Sequence, residues 1–166
     1  MARGWTAALA AALLAGCAAN LAADGGGSAA LDSVEGLSPA QLVAARQAAF
    51  HMSGAAMGQI KAAIDRGADP KSQAYAARGV MRWARALPTL FPESTRTIAP
   101  TRARPEIWAD KPDFEAKAAA YAEAAAALAA AAESGDKEAF AAQHVATAAT
   151  CKACHDLYQL PLPARP

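Results

Sequence analysis

The residues best suited to chemistry stand together near the C-terminal end of the 166-residue chain, as Cys151-Lys152-Ala153-Cys154-His155. This is the Cys-x-x-Cys-His pattern of covalent haem c attachment. Two thiols three residues apart on a helix stand about 4.5 Å apart along its axis, so each can bond one of the two neighbouring vinyl groups of haem. The histidine that follows then brings an imidazole nitrogen beneath the iron. Other chemistries use parts of the same pattern. A disulfide between Cys151 and Cys154 would be short and strained on a helix. A thioredoxin-like pair belongs at a helix start after a strand, whereas this one ends a helix. A zinc site recruiting His144 would lack a second cysteine pair. The expectation is one haem c held through Cys151 and Cys154, with His155 toward the iron.

The opposite face of such a haem needs a wall. Only eleven residues follow His155, and none is Met, His, Lys or Cys, so the wall is expected from an earlier helix. His144 lies about 16 Å along the same helix as His155, out of reach. Arg46 sits in an otherwise apolar seam, where an unpaired charge is costly. A guanidinium there would pair with a haem propionate, or else snorkel to solvent. Phe50 is one turn on and shares the face. Phenylalanine cannot ligate iron; if it covers the sixth position, the iron is five-coordinate, high-spin and open to diatomic ligands. Met57, two turns beyond Phe50, would supply a sixth ligand instead. His51 lies about 100° round the helix from Phe50 and would offer a polar contact only by turning inward.

The elements that must hold these residues are helical. The chain contains 52 alanines and only 15 β-branched residues; alanine loses no rotamer freedom on entering a helix. Only about 38 apolar side chains exceed a methyl group, few for a packed core of this size, so a cofactor is expected to fill the middle. Ser38-Pro39-Ala40-Gln41 reads as a capped helix start, and Gly67 as its stop. The expected helices are 39–66, 70–86, 112–132 and 137–158. Four prolines (Pro88, Pro92, Pro100, Pro105) make residues 88–111 a long connection, with one helical turn near Ile107 and Trp108. Seams follow at helical spacing: Leu42, Arg46, Phe50, Ser53, Met57, Ile60 and Ile64; then Phe114, Ala118, Tyr121, Ala125, Leu128 and Ala132; then Phe140, His144, Ala148, Cys151, His155 and Tyr158. Two short connections and one long one define an all-α, antiparallel up-down-up-down four-helix bundle around one covalently bound haem c.

The N-terminal stretch reads as an address. Arg3 precedes an apolar run from Ala7 to Gly16, shaped like a secretory signal and shorter than the roughly 20 residues that span a bilayer. Leu14-Ala15-Gly16-Cys17 resembles a bacterial lipoprotein cleavage box, with cleavage after Ala23 as the alternative. Residues 1–16 are then the signal, 17–37 a lipid-bearing cysteine and flexible tether, and 38–166 the haem domain. A periplasmic protein is expected, anchored to a membrane through lipid on Cys17, or soluble there if the box is not used. The net charge of +1 gives no bulk attraction to nucleic acid.

From about residue 39 to 159 the chain resembles the class II cytochromes c, and among them the cytochromes c′. The resemblance is carried by Arg46-Gln47-Ala48-Ala49-Phe50, Leu87-Pro88-Thr89-Leu90-Phe91-Pro92, Ala103-Arg104-Pro105-Glu106-Ile107-Trp108, and Cys151-Lys152-Ala153-Cys154-His155-Asp156 with Tyr158. It implies Cys151 and Cys154 as thioether sites, His155 as axial ligand, and Arg46 as propionate partner with Gln47 beside the haem. Low-spin relatives carry a ligating methionine where this chain has Phe50, which places it with the five-coordinate members. Two features depart from the family: Gln159 stands where a basic residue is common four positions after the axial histidine, and the tail Leu160–Pro166 is not basic.

Two functions are consistent with this reading. One is a haem carrier, not an enzyme, that binds nitric oxide and carbon monoxide in an apolar distal pocket. The other is a one-electron carrier with six-coordinate haem and a redox partner protein that the sequence does not identify. Gly54 and Gly58 on the first helix would allow close approach of a second copy, so a homodimer is expected.

Overall fold

A computed structural model of the chain describes residues 36–162. The signal, Cys17 and nearly all of the expected tether lie outside the described residues. Five helices are present among them: α1 (Pro39–Asp65), α2 (Ala74–Ala86), α3 (Glu106–Ala109), α4 (Lys111–Ser134) and α5 (Lys137–Tyr158). The four long ones form the bundle, and α4 packs against both α2 and α5.

The punctuation acts as the residue types dictate. Ser38 Oγ accepts from Gln41 N while the Gln41 side chain accepts from Ser38 N at 2.8 Å, a reciprocal capping box. Asp110 and Asp136 cap α4 and α5 by accepting from Asp113 N and Ala139 N. Gly135 ends α4 at φ 82°, left-handed geometry that a Cβ disfavours. The start of α2 differs from expectation. Asp69 Oδ1 accepts from Lys71 N, and Ser72 N donates to Asp69 O. These short-range bonds tighten Pro70–Gln73 into a 3₁₀ turn, and the α-helix proper begins at Ala74.

The long connection is ordered rather than loose. It contains 3₁₀ turns at Leu87–Leu90 and Glu93–Thr95 and the short helix α3. It ends its course against α5: Leu160 N donates to Arg102 O, Arg104 N donates to Tyr158 O, and Ala103 faces Gln159 in an antiparallel bridge.

Two apolar clusters fill the bundle. At the α4–α5 turn end, Ile60, Ala77, Leu128, Ala132 and Phe140 pack closely, with alanines allowing the helices to approach. Toward the other end, Val80, Leu87, Leu90, Phe91, Ile107, Phe114 and Tyr158 form the second cluster. The α4 seam is buried at all six positions expected, Phe114 through Ala132. Along α5 the seam is uneven: Phe140 and Tyr158 are buried, while Ala148 and His155 stay exposed. Over that stretch a cavity separates α5 from α1.

Candidate functional site

The cavity has a volume of about 740 Å³, within the range that encloses a cofactor. Its walls are the seams of α1 and α5, floored by Phe114, Ala118 and Tyr121 of α4. Every sequence-derived site residue reaches it: Cys151, Cys154 and His155 from α5, and Arg46, Gln47 and Phe50 from α1.

Cys151 and Cys154 are half-buried and unbonded to one another. Burial raises the proton affinity of both thiols and pushes Cys154 up to about 11. The shift opposes the thiolate form that redox exchange requires. His155 is exposed along the cavity, and its proton affinity is lowered by partial burial and then by the Arg102 charge. A neutral imidazole is the form that ligates a metal. The α5 end is fixed by Tyr158, whose hydroxyl donates to Asp113 Oδ2 at 2.5 Å.

Opposite His155 stands Phe50, with ring centroids 6.4 Å apart at an interplanar angle of 71°. The two rings meet edge to face at that separation, and both line the cavity. Phe50 is held from behind by Trp83 and Phe91, at 5.4 and 6.4 Å between centroids. The indole Nε1 of Trp83 is buried without a hydrogen-bond partner among the described residues.

Arg46 does not reach solvent; it is 2% exposed. Its Nη1 donates to Leu90 O (3.1 Å) and Thr95 Oγ1 (2.9 Å), and its Nη2 to Thr101 Oγ1 (3.2 Å). The guanidinium lies 4.3 Å from the Phe91 ring centroid. All these acceptors are neutral, and among the described residues no carboxylate pairs with it. A buried cation without a counter-ion, at the edge of a cavity, fits a group that carries its own carboxylates. Gln47, one residue on, donates to Pro100 O at 2.8 Å, so it anchors the connection from the cavity rim.

The remaining polar residues are spent or peripheral. His144 Nε2 lies 3.2 Å from Met57 O, bridging α5 to α1 below the site. His51 is exposed at the rim. Met57 lines the cavity about 10 Å along α1 from Phe50. Gly54 and Gly58 line it too, and a Cβ at either would meet nothing within 4 Å. Sequence reasoning missed Thr95 and Thr101, which complete the cradle of Arg46, and Arg102. Their only signal was position in a proline-rich connection.

An apolar cavity, two thiols three residues apart on α5, an imidazole beside an aromatic ring and a buried guanidinium with no carboxylate partner among the described residues all fit haem c. The molecule is a helical-bundle protein of the c-type haem class. A family model described as cytochrome c′ matches residues 41–159, and the chain belongs to that family. It is 34% identical over 126 residues to a cytochrome c′ of Pararhodospirillum photometricum, covering 74% of this chain and 98% of that one. The crystal structure of cytochrome c′ from Thermochromatium tepidum superposes with a TM-score of 0.71 at 32% identity, covering 75% of this chain and 98% of that one. A cytochrome c′ from Alcaligenes xylosoxidans, a mutant solved as its nitric oxide complex, gives a TM-score of 0.67 at 28% identity, covering 74% and 97%. One covalently attached haem c is therefore the cofactor of this protein, with Cys151 and Cys154 as its attachment thiols.

Proposed function

We propose that this protein is an exported haem carrier whose iron is five-coordinate and high-spin, and that it binds nitric oxide and carbon monoxide on the face covered by Phe50. The observation that carries the proposal is the opposition of Phe50 to His155 across the cavity. Haem supplies a redox-active iron able to bind diatomic ligands. The chain's own residues set the conditions. His155 offers the single axial nitrogen, its proton affinity lowered by partial burial. Phe50 brings no donor atom to the sixth position and, packed on Trp83 and Phe91, excludes water. The Phe50 ring itself offers no hydrogen-bond donor at that face, so polarised bound oxygen is disfavoured there relative to the less polar ligands. Arg46 pairs with one propionate, while Gln47 fixes the connection beside it.

The nitric oxide complex of the Alcaligenes relative agrees with this reading. Buffering or detoxification of nitric oxide is the proposed role, in the periplasm and at a membrane through lipid on Cys17. A homodimer is part of the same proposal, with exposed Met52 of α1 at hand for a second copy. The alternative, a six-coordinate electron carrier, requires Met57 at the iron; Phe50, not Met57, faces His155, so the five-coordinate reading is favoured. Titration of the reduced protein with carbon monoxide and nitric oxide tests the proposal. A saturable shift of the Soret band is expected. An unchanged spectrum at millimolar gas would reject it in favour of electron transfer.

A further inference from the structure

Seven large apolar side chains stand exposed among the described residues, and they are unevenly placed. Leu37, Leu157, Leu160 and Leu162 are 42%, 47%, 42% and 72% exposed. The other three, Met52, Tyr75 and Val145, lie singly on α1, α2 and α5. Single apolar residues are ordinary on a protein surface, whereas a group of them marks an interaction site.

The fold brings the four leucines to one end. α1 and α5 run antiparallel, since His144 meets Met57 O while the His155 and Phe50 rings lie 6.4 Å apart. The start of α1, next to Leu37, and the close of α5 at Tyr158 therefore point the same way. Leu157 stands in the last turn of α5, and Leu160 and Leu162 follow it. Their backbone is pinned to the long connection: Leu160 N donates to Arg102 O at 2.8 Å, and Arg104 N to Tyr158 O at 3.0 Å. Arg102 Nε donates to Leu160 O at 2.8 Å, and Arg104 Nη1 to Leu157 O at 3.4 Å. Charges beside the leucines have partners. Lys152 pairs with Asp156 at 2.6 Å, and Arg104 Nε lies 3.9 Å from Glu106 Oε2. The surface therefore attracts through apolar area rather than net charge.

The chain enters the bundle at this same end. Cys17 precedes Leu37 by twenty residues, which span at most about 70 Å. The longest helix, α1, has 27 residues and is about 40 Å long. A lipid on Cys17 keeps the whole bundle within reach of a bilayer, so attachment alone does not choose the face that touches it; the leucines do.

We propose that this end of the bundle is a bilayer-contact surface, with Leu157, Leu160 and Leu162 seated at the headgroup boundary. This rests on the reading of Cys17 as lipid-bearing. Leucine side chains gain there by leaving water. The lipid supplies the affinity and the leucines the orientation. Leu157 lies two residues after His155, so the contact brings the haem site beside the membrane, where apolar diatomic gases dissolve better than in water.

The test is hydroxyl-radical footprinting of the native lipidated holoprotein on vesicles of phosphatidylethanolamine and phosphatidylglycerol, read by mass spectrometry against Cys17→Ser holoprotein free in solution. Oxidation of Leu157, Leu160 and Leu162 should fall by at least about threefold on the vesicles, while Tyr75 and Val145 stay within about 1.5-fold. Unchanged leucines would overturn the proposal, as would equal protection of Tyr75 and Val145. Equal protection of the leucines in concentrated Cys17→Ser protein without vesicles would also overturn it, assigning the surface to a second copy. Flotation of the native protein with the vesicles checks the anchor separately. Native protein that fails to float would overturn the lipid reading, and this proposal with it; floating protein with unprotected leucines would overturn this proposal alone.

Discussion

Replacement of Arg46 by methionine separates a propionate partner from a purely internal staple. The protein partners of the guanidinium are Leu90 O, Thr95 Oγ1 and Thr101 Oγ1, at 2.9 to 3.2 Å. Hydrogen bonds to a charged donor contribute roughly 1.5–3 kcal/mol each, about 5–9 kcal/mol for three. Burying the charge costs roughly 5 kcal/mol, so with these partners alone the net cost of Arg46→Met lies at roughly 0–4 kcal/mol. Breaking a buried ion pair costs about 3–5 kcal/mol, because the carboxylate left behind must find water or protonate. For a domain of this length each kcal/mol moves the Tm by roughly 3–5 °C. Arg46→Met in the holoprotein should therefore lower the Tm by at least about 10 °C. Thr101→Val removes one neutral acceptor and should lower it by about 5 °C. Thermal unfolding of both variants, followed by far-UV circular dichroism at low protein concentration, makes the comparison. Equal losses in the two would refute the ion pair and leave Arg46 as a tie between α1 and the connection.

Phe50→Met should convert part or all of the reduced haem toward low spin, read as sharpened α and β bands; since the swap nearly conserves volume, its stability cost should stay below about 1.5 kcal/mol. Tyr158→Phe removes the hydrogen bond that holds the Asp113 carboxyl below the ordinary carboxylate range. A depressed carboxyl contributes stability above its unfolded pKa that is lost as pH falls through the folded one. The native protein should accordingly lose stability below about pH 4, while Tyr158→Phe should show less of that acid-dependent loss, measured by denaturant titration from pH 6 to 2. Cys17→Ser should release the protein from the membrane fraction into the soluble periplasm; equal fractionation of the two forms would reject the lipid anchor.

Much of this organisation is legible in the sequence because the relevant physics is local. Helix starts at Ser38 and Asp136 are written in residues that accept from the next turn. The α4 seam reads correctly from Phe114 to Ala132 because α4 has neighbours on both flanks, so periodicity alone decides burial. The α5 seam is harder. Ala148 and His155 share its spacing but border the cavity, the space that haem would fill, so no neighbouring helix covers them. The low count of large apolar residues foreshadowed that space without locating it. Thr147, buried and donating to Ala124 O and Gln143 O, falls outside every seam that periodicity picks out. The partners of Arg46 were illegible for another reason: Leu90, Thr95 and Thr101 lie 44 to 55 residues away. Arg102 likewise acquires its place only through the pairing of the connection with the residues around Gln159.

The central claim is a single axial nitrogen from His155 beneath an iron whose other face Phe50 covers without binding. Resonance Raman spectroscopy of the reduced protein, free of added ligand, tests it most directly. Five-coordinate high-spin marker bands with an iron–histidine stretch that disappears in His155→Gly are the predicted result. Six-coordinate low-spin bands in the native protein would contradict it.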